Sequence, residues 1–203
     1  MILAGLAMVV ASGQRGLAVD IFNSFTGETP NYSSSIPLSS GDLFAQQIET
    51  VSANTVIDTL SLALGNSVLG SAGTFDISIY TSVADAPGTL VSGSRQSGLS
   101  ATTLPDAAAI NAPQTYSGLN INLPTAAKYF VVLNNFSGVG FSLLWAQTVT
   151  NANPYPNLIW GLNSGNTGFV NGTANVGTNP FLLRVSTANV PEPSTWAMMT
   201  IAA

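Results

Sequence analysis

Ile57-Asp58-Thr59-Leu60-Ser61-Leu62-Ala63-Leu64 and Phe75-Asp76-Ile77-Ser78-Ile79-Tyr80 decide the fold of this chain. In the first, Leu60, Leu62 and Leu64 share one parity, with Thr59 and Ser61 on the other. In the second, Phe75, Ile77 and Ile79 alternate with Asp76, Ser78 and Tyr80. Successive side chains of a strand point to opposite faces, so this two-residue period predicts half-buried strands. Phe141-Leu143-Trp145 and Phe181-Leu183-Val185 repeat the period, which assigns Trp145 to the core. Tyr129-Phe130-Val131-Val132-Leu133 is apolar throughout and predicts a central strand covered on both faces.

Between these segments stand Gly65-Asn66, Asp85-Ala86-Pro87-Gly88, Leu104-Pro105-Asp106, Asn134-Asn135 and Asn163-Ser164-Gly165-Asn166. Proline presets a turn dihedral, and glycine or asparagine accepts positive φ, so each predicts a turn. No segment has a convincing helical period. Ala107-Ala108-Ala109-Ile110 has room for one short helical turn between Pro105 and Pro113. About eight to ten strands punctuated in this way predict an all-β, antiparallel β-sandwich of jelly-roll type. The absence of a fixed repeat argues against a solenoid.

Apolar segments flank this body. Met1 to Ala11 has the length of a signal-peptide core, and Gly16-Leu17-Ala18 places small residues before a cut near Ala18/Val19. No basic residue precedes the run, so Met1 reads as an internal start or a fragment boundary. The expected organisation is a signal-peptide-like segment over 1–18, one sandwich domain over 19–188 and a C-terminal signal over 189–203.

Composition limits the chemistry. Only 6% of the 203 residues are charged, against roughly a quarter in ordinary soluble domains, and the formal charge is -5. The single lysine is Lys128, so there is no basic patch to neutralise phosphates, and nucleic acid is excluded as a partner. With no cysteine there is no disulfide, thiol nucleophile or thiolate ligand. With no histidine the Ser-His-Asp and Cys-His systems and the usual zinc sites are unavailable. Asp20, Glu28, Asp42, Glu49, Asp58, Asp76, Asp85 and Asp106 are scattered, with no spacing that pairs them as a glycosidase requires. The expectation is a protein that is not an enzyme and uses no cofactor or metal. Asp76 and Asp85 are of the type that calcium accepts, but their spacing matches no dense oxygen-ligand loop, and a plain aspartate-initiated turn is the better reading.

Val190-Pro191-Glu192-Pro193-Ser194-Thr195-Trp196-Ala197 carries a specific resemblance. It is similar to the PEP-CTERM sorting signal of secreted Gram-negative bacterial proteins, in which a membrane helix and a basic tail follow the triplet and an exosortase processes it. The resemblance implies that Pro191, Glu192 and Pro193 are recognition elements for an exosortase-type membrane protease. It further implies transient membrane anchoring through the C-terminus and residence in the envelope, at the cell surface or outside the cell. The run from Trp196 to Ala203 is far short of the roughly twenty residues that cross a bilayer, and no Lys or Arg follows Arg184, so the signal reads as truncated. The order of Leu43–Gln47, Ile57–Leu62, Phe75–Tyr80, Ala86–Val91, Lys128–Leu133 and Phe181–Val185 resembles the choice-of-anchor domains, secreted β-sandwiches that precede such signals. That family implies no ligand or reaction.

Two functions follow as expectations. One is a sorted, non-enzymatic envelope or extracellular-matrix protein, whose neutral hydroxyl-rich surface permits self-association. The other is a carbohydrate-binding module recognising exopolysaccharide through Tyr155 and Trp160. In Asn153-Pro154-Tyr155-Pro156-Asn157-Leu158-Ile159-Trp160-Gly161 these two aromatics stand among amide side chains, as sugar sites require. For Trp160 a place in the core is the competing assignment.

Overall fold

The computed structural model describes residues 18–25, 35–38, 43–66, 72–106, 112–138, 143–146, 158–162, 173–176 and 181–187. For 35–38, 158–162 and 173–176 it describes the backbone pairing alone. The described residues form fifteen strands and no helix: β1 (Asp20–Asn23), β2 (Ser35–Leu38), β3 (Leu43–Glu49), β4 (Thr55–Leu62), β5 (Leu64–Asn66), β6 (Thr74–Val83), β7 (Ala86–Leu90), β8 (Gln96–Ser100), β9 (Gln114–Tyr116), β10 (Ile121–Leu123), β11 (Lys128–Ser137), β12 (Leu143–Ala146), β13 (Leu158–Leu162), β14 (Thr173–Val176) and β15 (Leu183–Thr187).

One sheet has the order β1-β15-β4-β10, with β9 also on β4; a larger one has β14-β13-β3-β11-β6-β7, with β8 also on β6. All the strand pairings are antiparallel. β7 and β8 line the same edge of β6, and β9 and β10 the same edge of β4, so each pair is one interrupted strand. Counted that way, and leaving aside β2, β5, β12, β13 and β14, one sheet runs first-eighth-third-sixth and the strands β3-β11-β6-β7/β8 of the other run second-seventh-fourth-fifth. This is the strand order of a jelly-roll β-sandwich. β13 and β14 extend the larger sheet beyond β3, and β2-β12-β5 forms a third small sheet.

The inner faces supply one core. Phe22, Ile57, Leu60, Leu62, Ile121 and Val185 from the smaller sheet pack with Ile48, Phe75, Ile77, Ile79, Tyr129, Val131 and Leu133 from the larger. Phe130 and Val132 join Ala45 in a separate buried cluster on the other face, so β11 is covered on both sides as its continuous apolar sequence requires. The alternation places Asp76 and Ser78 on the polar face of a half-buried strand, yet both are buried in β6, which lies between β11 and β7.

Irregularities shape the sandwich where simple alternation fails. Along β4 the partner of Ser186 is Thr59 but that of Thr187 is Ile57, so the register slips at Asp58. The bulge turns both Ile57 and Leu60 into the core, despite their opposite parities. Opposite it, Leu119 donates its N–H to the Asp58 carbonyl at 3.0 Å, where β9 breaks from β10. Asn134-Asn135 lies within β11 and makes no chain-reversing turn; Asn135 adopts φ 53 in a bulge between Asn134 and Ser137. Gly65-Asn66 is strand β5.

The β6–β7 hairpin turns at Ala84 and Asp85, with φ 49 and 60, two residues both in the left-handed region. This is the primed two-residue geometry that suits strand twist. The predicted Asp85–Gly88 turn is therefore displaced toward the N-terminus. Pro87 and Gly88 stand in edge strand β7, where a missing donor is tolerated. A Cβ at Gly88 would meet Val83 Cγ2 at 2.7 Å and Thr81 Oγ1 at 2.9 Å, so only glycine fits against β6 without displacement.

Ala63, Ala146 and Leu182 join the third sheet to the smaller one through a ring of backbone hydrogen bonds. Ala63 donates to Leu182 at 3.2 Å, Leu182 to Ala146 at 2.8 Å and Ala146 to Ala63 at 3.0 Å. Beside the ring Trp145 is fully buried, stacked on Phe181 at 4.2 Å, with its indole N–H donating to the Leu182 carbonyl at 3.2 Å. Buried Gln46 accepts the Phe181 N–H at 3.0 Å, and the Ser24 hydroxyl donates to the Phe181 carbonyl at 2.7 Å. The last segment of the body is thus fixed by both backbone and side chains.

Candidate functional site

The carboxylates are the groups from which chemistry would have to be built. Asp76 is held between three donors. Its Oδ1 accepts from the Gly98 N–H at 2.9 Å, and its Oδ2 accepts from Asn135 Nδ2 at 2.7 Å and from Arg95 Nε at 3.1 Å. It therefore ties β8 and the Arg95 segment to the β11 bulge. Charge-assisted bonds of this kind account for its burial and make it a structural clamp.

Asp85 sits at the tip of the β6–β7 hairpin and receives Lys128 Nζ at 3.2 Å and Gln47 Nε2 at 3.3 Å. The Gln47 hydrogen bond, followed by the Lys128 bond, draws its carboxyl below the ordinary aspartate value. A depressed carboxyl favours the folded state at pH above its unfolded value, and that contribution fades as pH falls through the lowered one.

Asp20 accepts from Asn23 Nδ2 at 2.9 Å and from Ser186 Oγ at 2.6 Å, joining β1 to β15. Asp58 receives the Thr59 hydroxyl at 3.0 Å. Burial raises the Tyr116 phenol to about 12, so it stays protonated at neutral pH.

Asp76 and Asp85 lie toward opposite ends of β6, separated by roughly 25 Å at about 3.3 Å per residue, and cannot share one cation. Among the described residues no group of three or more Asp or Glu side chains could hold a metal ion. Their nearest neighbours are N–H donors, which calcium would have to displace. Adding millimolar calcium is expected to leave the melting temperature unchanged; a clear calcium-dependent rise would contradict this assignment.

Pro191, Glu192, Pro193 and Tyr155 lie outside the described residues. Trp160 falls in β13, between β14 and β3, with its backbone opposite Ala45 and Ala174. Its strand is therefore internal to the larger sheet, and its side chain lies outside the described residues. The predicted helical turn at 107–110 also lies outside the described residues.

Two features escaped the sequence. On the outer face of the smaller sheet, Arg184 is opposite Asn23 on one side and Ser61 on the other, and its Nε is buried without a hydrogen-bond partner among the described residues. At one end of the sandwich stand exposed Val19, Val51 and Val83. Isolated valines beside turn residues carry no signal until the topology places them together.

The class defined by this geometry is a jelly-roll β-sandwich in which four of the described aspartates, Asp20, Asp58, Asp76 and Asp85, are engaged in its own hydrogen bonds. No family model matches the chain, and no curated protein matches it.

Proposed function

We propose that the chain is an exported, non-enzymatic protein of the cell envelope or extracellular matrix, sorted by an exosortase-type membrane protease acting at Pro191-Glu192-Pro193. The observation that carries this reading is the short interval between body and triplet. β15 ends at Thr187, so Pro191 follows within about 14 Å of fully extended chain. The prolines remove two amide donors and keep the segment extended, which suits a protease cleft and prevents it from adding to the sheet. The segment is a peptide substrate held close to a folded domain.

The body is suited to display. It contains neither histidine nor cysteine, and Asp76 and Asp85 are bound to Arg95 and Lys128. Its work in this reading is to persist at the surface or in the matrix, with few charges to repel neighbouring copies.

Fractionation of cells producing the full-length protein tests the reading. Wild-type protein is expected at the surface or in the medium, whereas a Pro191→Ala, Glu192→Ala, Pro193→Ala variant is expected to remain with the membrane. Identical distributions of the two would contradict it.

A further inference from the structure

The two ends of the sandwich differ. At β1 the chain enters beside the point where β15 leaves: Thr187 donates its N–H to the Val19 carbonyl at 3.0 Å, and Val19 donates to Thr187 Oγ1 at 3.2 Å. Thr187 lies opposite Ile57 near the start of β4, and Thr55 lies opposite Leu123 at the end of β10. In the other sheet Glu49, at the end of β3, is opposite Lys128, at the start of β11, and Tyr129 is opposite Thr81. The connections 50–54 and 124–127 join the sheets at this same end, laced by Thr50 N–H to Ala127 O at 3.0 Å and Asn54 N–H to Pro124 O at 3.4 Å.

Three large hydrophobic side chains are most exposed among the described residues: Val51 at 92%, Val19 at 61% and Val83 at 61%. All three belong to this end. Val51 is in the β3–β4 connection, Val83 precedes the β6–β7 turn, and Val19 precedes β1. The opposite end, around Thr74, Thr103 and Ser137, has no exposed large hydrophobic among the described residues. Scattered apolar residues are ordinary on a surface, but three on separate segments at one end are a concentration.

Continuity of the chain identifies what meets them. From Thr187 the sequence reaches Trp196 and the apolar run to Ala203 within roughly 30 Å of extended chain. Charge selects the kind of surface. Among the described residues Lys128 is committed to Asp85, while Asp20 and Glu49 lie nearby, so the described part of this end offers no free cation for anionic headgroups.

We propose that this end of the sandwich, through Val19, Val51 and Val83, rests on the surface of a zwitterionic lipid bilayer while the chain is anchored by its C-terminus. The proposal rests on the anchoring reading and deepens it by giving the body an orientation. The end bearing Val51 and Val83 faces the membrane, and the end bearing Thr103 faces away. The valines sit at the interface while the short tether holds them there, and release of the tether frees the body.

The absence of cysteine allows single labels to be introduced. Val51→Cys, Val83→Cys and Thr103→Cys, each in the full chain with a hexahistidine tag after Ala203, are labelled with a polarity-sensitive fluorophore. They are then loaded on phosphatidylcholine vesicles containing a nickel-chelating lipid. All three positions are exposed, and circular dichroism confirms that each labelled variant is folded. The labels at 51 and 83 are expected to shift to shorter wavelength and lose quenching by iodide on loading, while the label at 103 stays quenched. Equal quenching at all three positions, or protection at 103 alone, overturns the proposal. Protection of 51 and 83 without vesicles, rising with protein concentration, also overturns it and identifies an interface between copies. Because the tag supplies the tether, failure here leaves the sorting reading standing, and that reading fails separately if the triplet variant is localised as wild type.

Discussion

Replacing Trp145 by alanine is expected to destabilise the protein by roughly 3–5 kcal/mol, the range for truncating a buried aromatic. For a domain of this size that corresponds to a fall in melting temperature of roughly 6–20 °C. Trp145 is fully buried and stacks on Phe181 with an interplanar angle of 12°. Phe181 in turn meets Phe44 edge-on at 6.0 Å. Alanine would leave a cavity beneath the ring of hydrogen bonds at Ala63, Ala146 and Leu182. Trp145→Phe should cost less, because the Leu182 carbonyl that loses the indole donor still accepts from Ala63. A double-mutant cycle with Phe181→Ala should give a coupling of about 0.5–1.5 kcal/mol. Calorimetry or thermal circular dichroism measures both, and a Trp145→Ala shift within 2 °C or so would contradict the packing described.

A still larger effect is expected from ending the chain after Pro180. β15 is the last of the described strands but lies inside its sheet, between β1 and β4. Its loss would remove Phe181, Leu182, Leu183 and Val185, all fully buried. At roughly 1.5–3 kcal/mol for each buried apolar side chain, these four account for about 6–12 kcal/mol. That is comparable with the whole stability of a typical domain, about 5–15 kcal/mol. It would also bare the facing backbone groups of β1 and β4. The shortened chain is expected to show no cooperative thermal transition and rapid proteolysis; a cooperative melt close to that of the full chain would place β15 at the periphery instead. In an exported chain this arrangement delays completion of the sandwich until its last strand has emerged, immediately before the triplet.

The strands with strict alternation were legible because burial of one face leaves a two-residue pattern. Phe75, Ile77 and Ile79 are therefore in the core, as is Trp145. The continuous run Tyr129–Leu133 announced a strand covered on both faces, and β11 is one. What escaped the pattern depends on neighbours. Ile57 turns inward through a bulge at Asp58 that parity cannot contain. Asn135 and Ala84 both adopt positive φ, yet one makes a bulge and the other half of a hairpin turn, because strand pairing selects the outcome. Asp76 was expected at the surface, since nothing in its flanks revealed that Arg95, Asn135 and Gly98 would converge on it. The triplet lies outside the described residues, and the three valines became a feature only through topology. They are far apart in sequence, and the jelly-roll order brings them to one end.

The most direct measurement is the intact mass of the protein recovered from its own host, for wild type and for the Pro191→Ala, Glu192→Ala, Pro193→Ala variant. The account predicts a wild-type mature C-terminus close to the triplet and an unprocessed terminus in the variant. An identical, uncut terminus in both would contradict it.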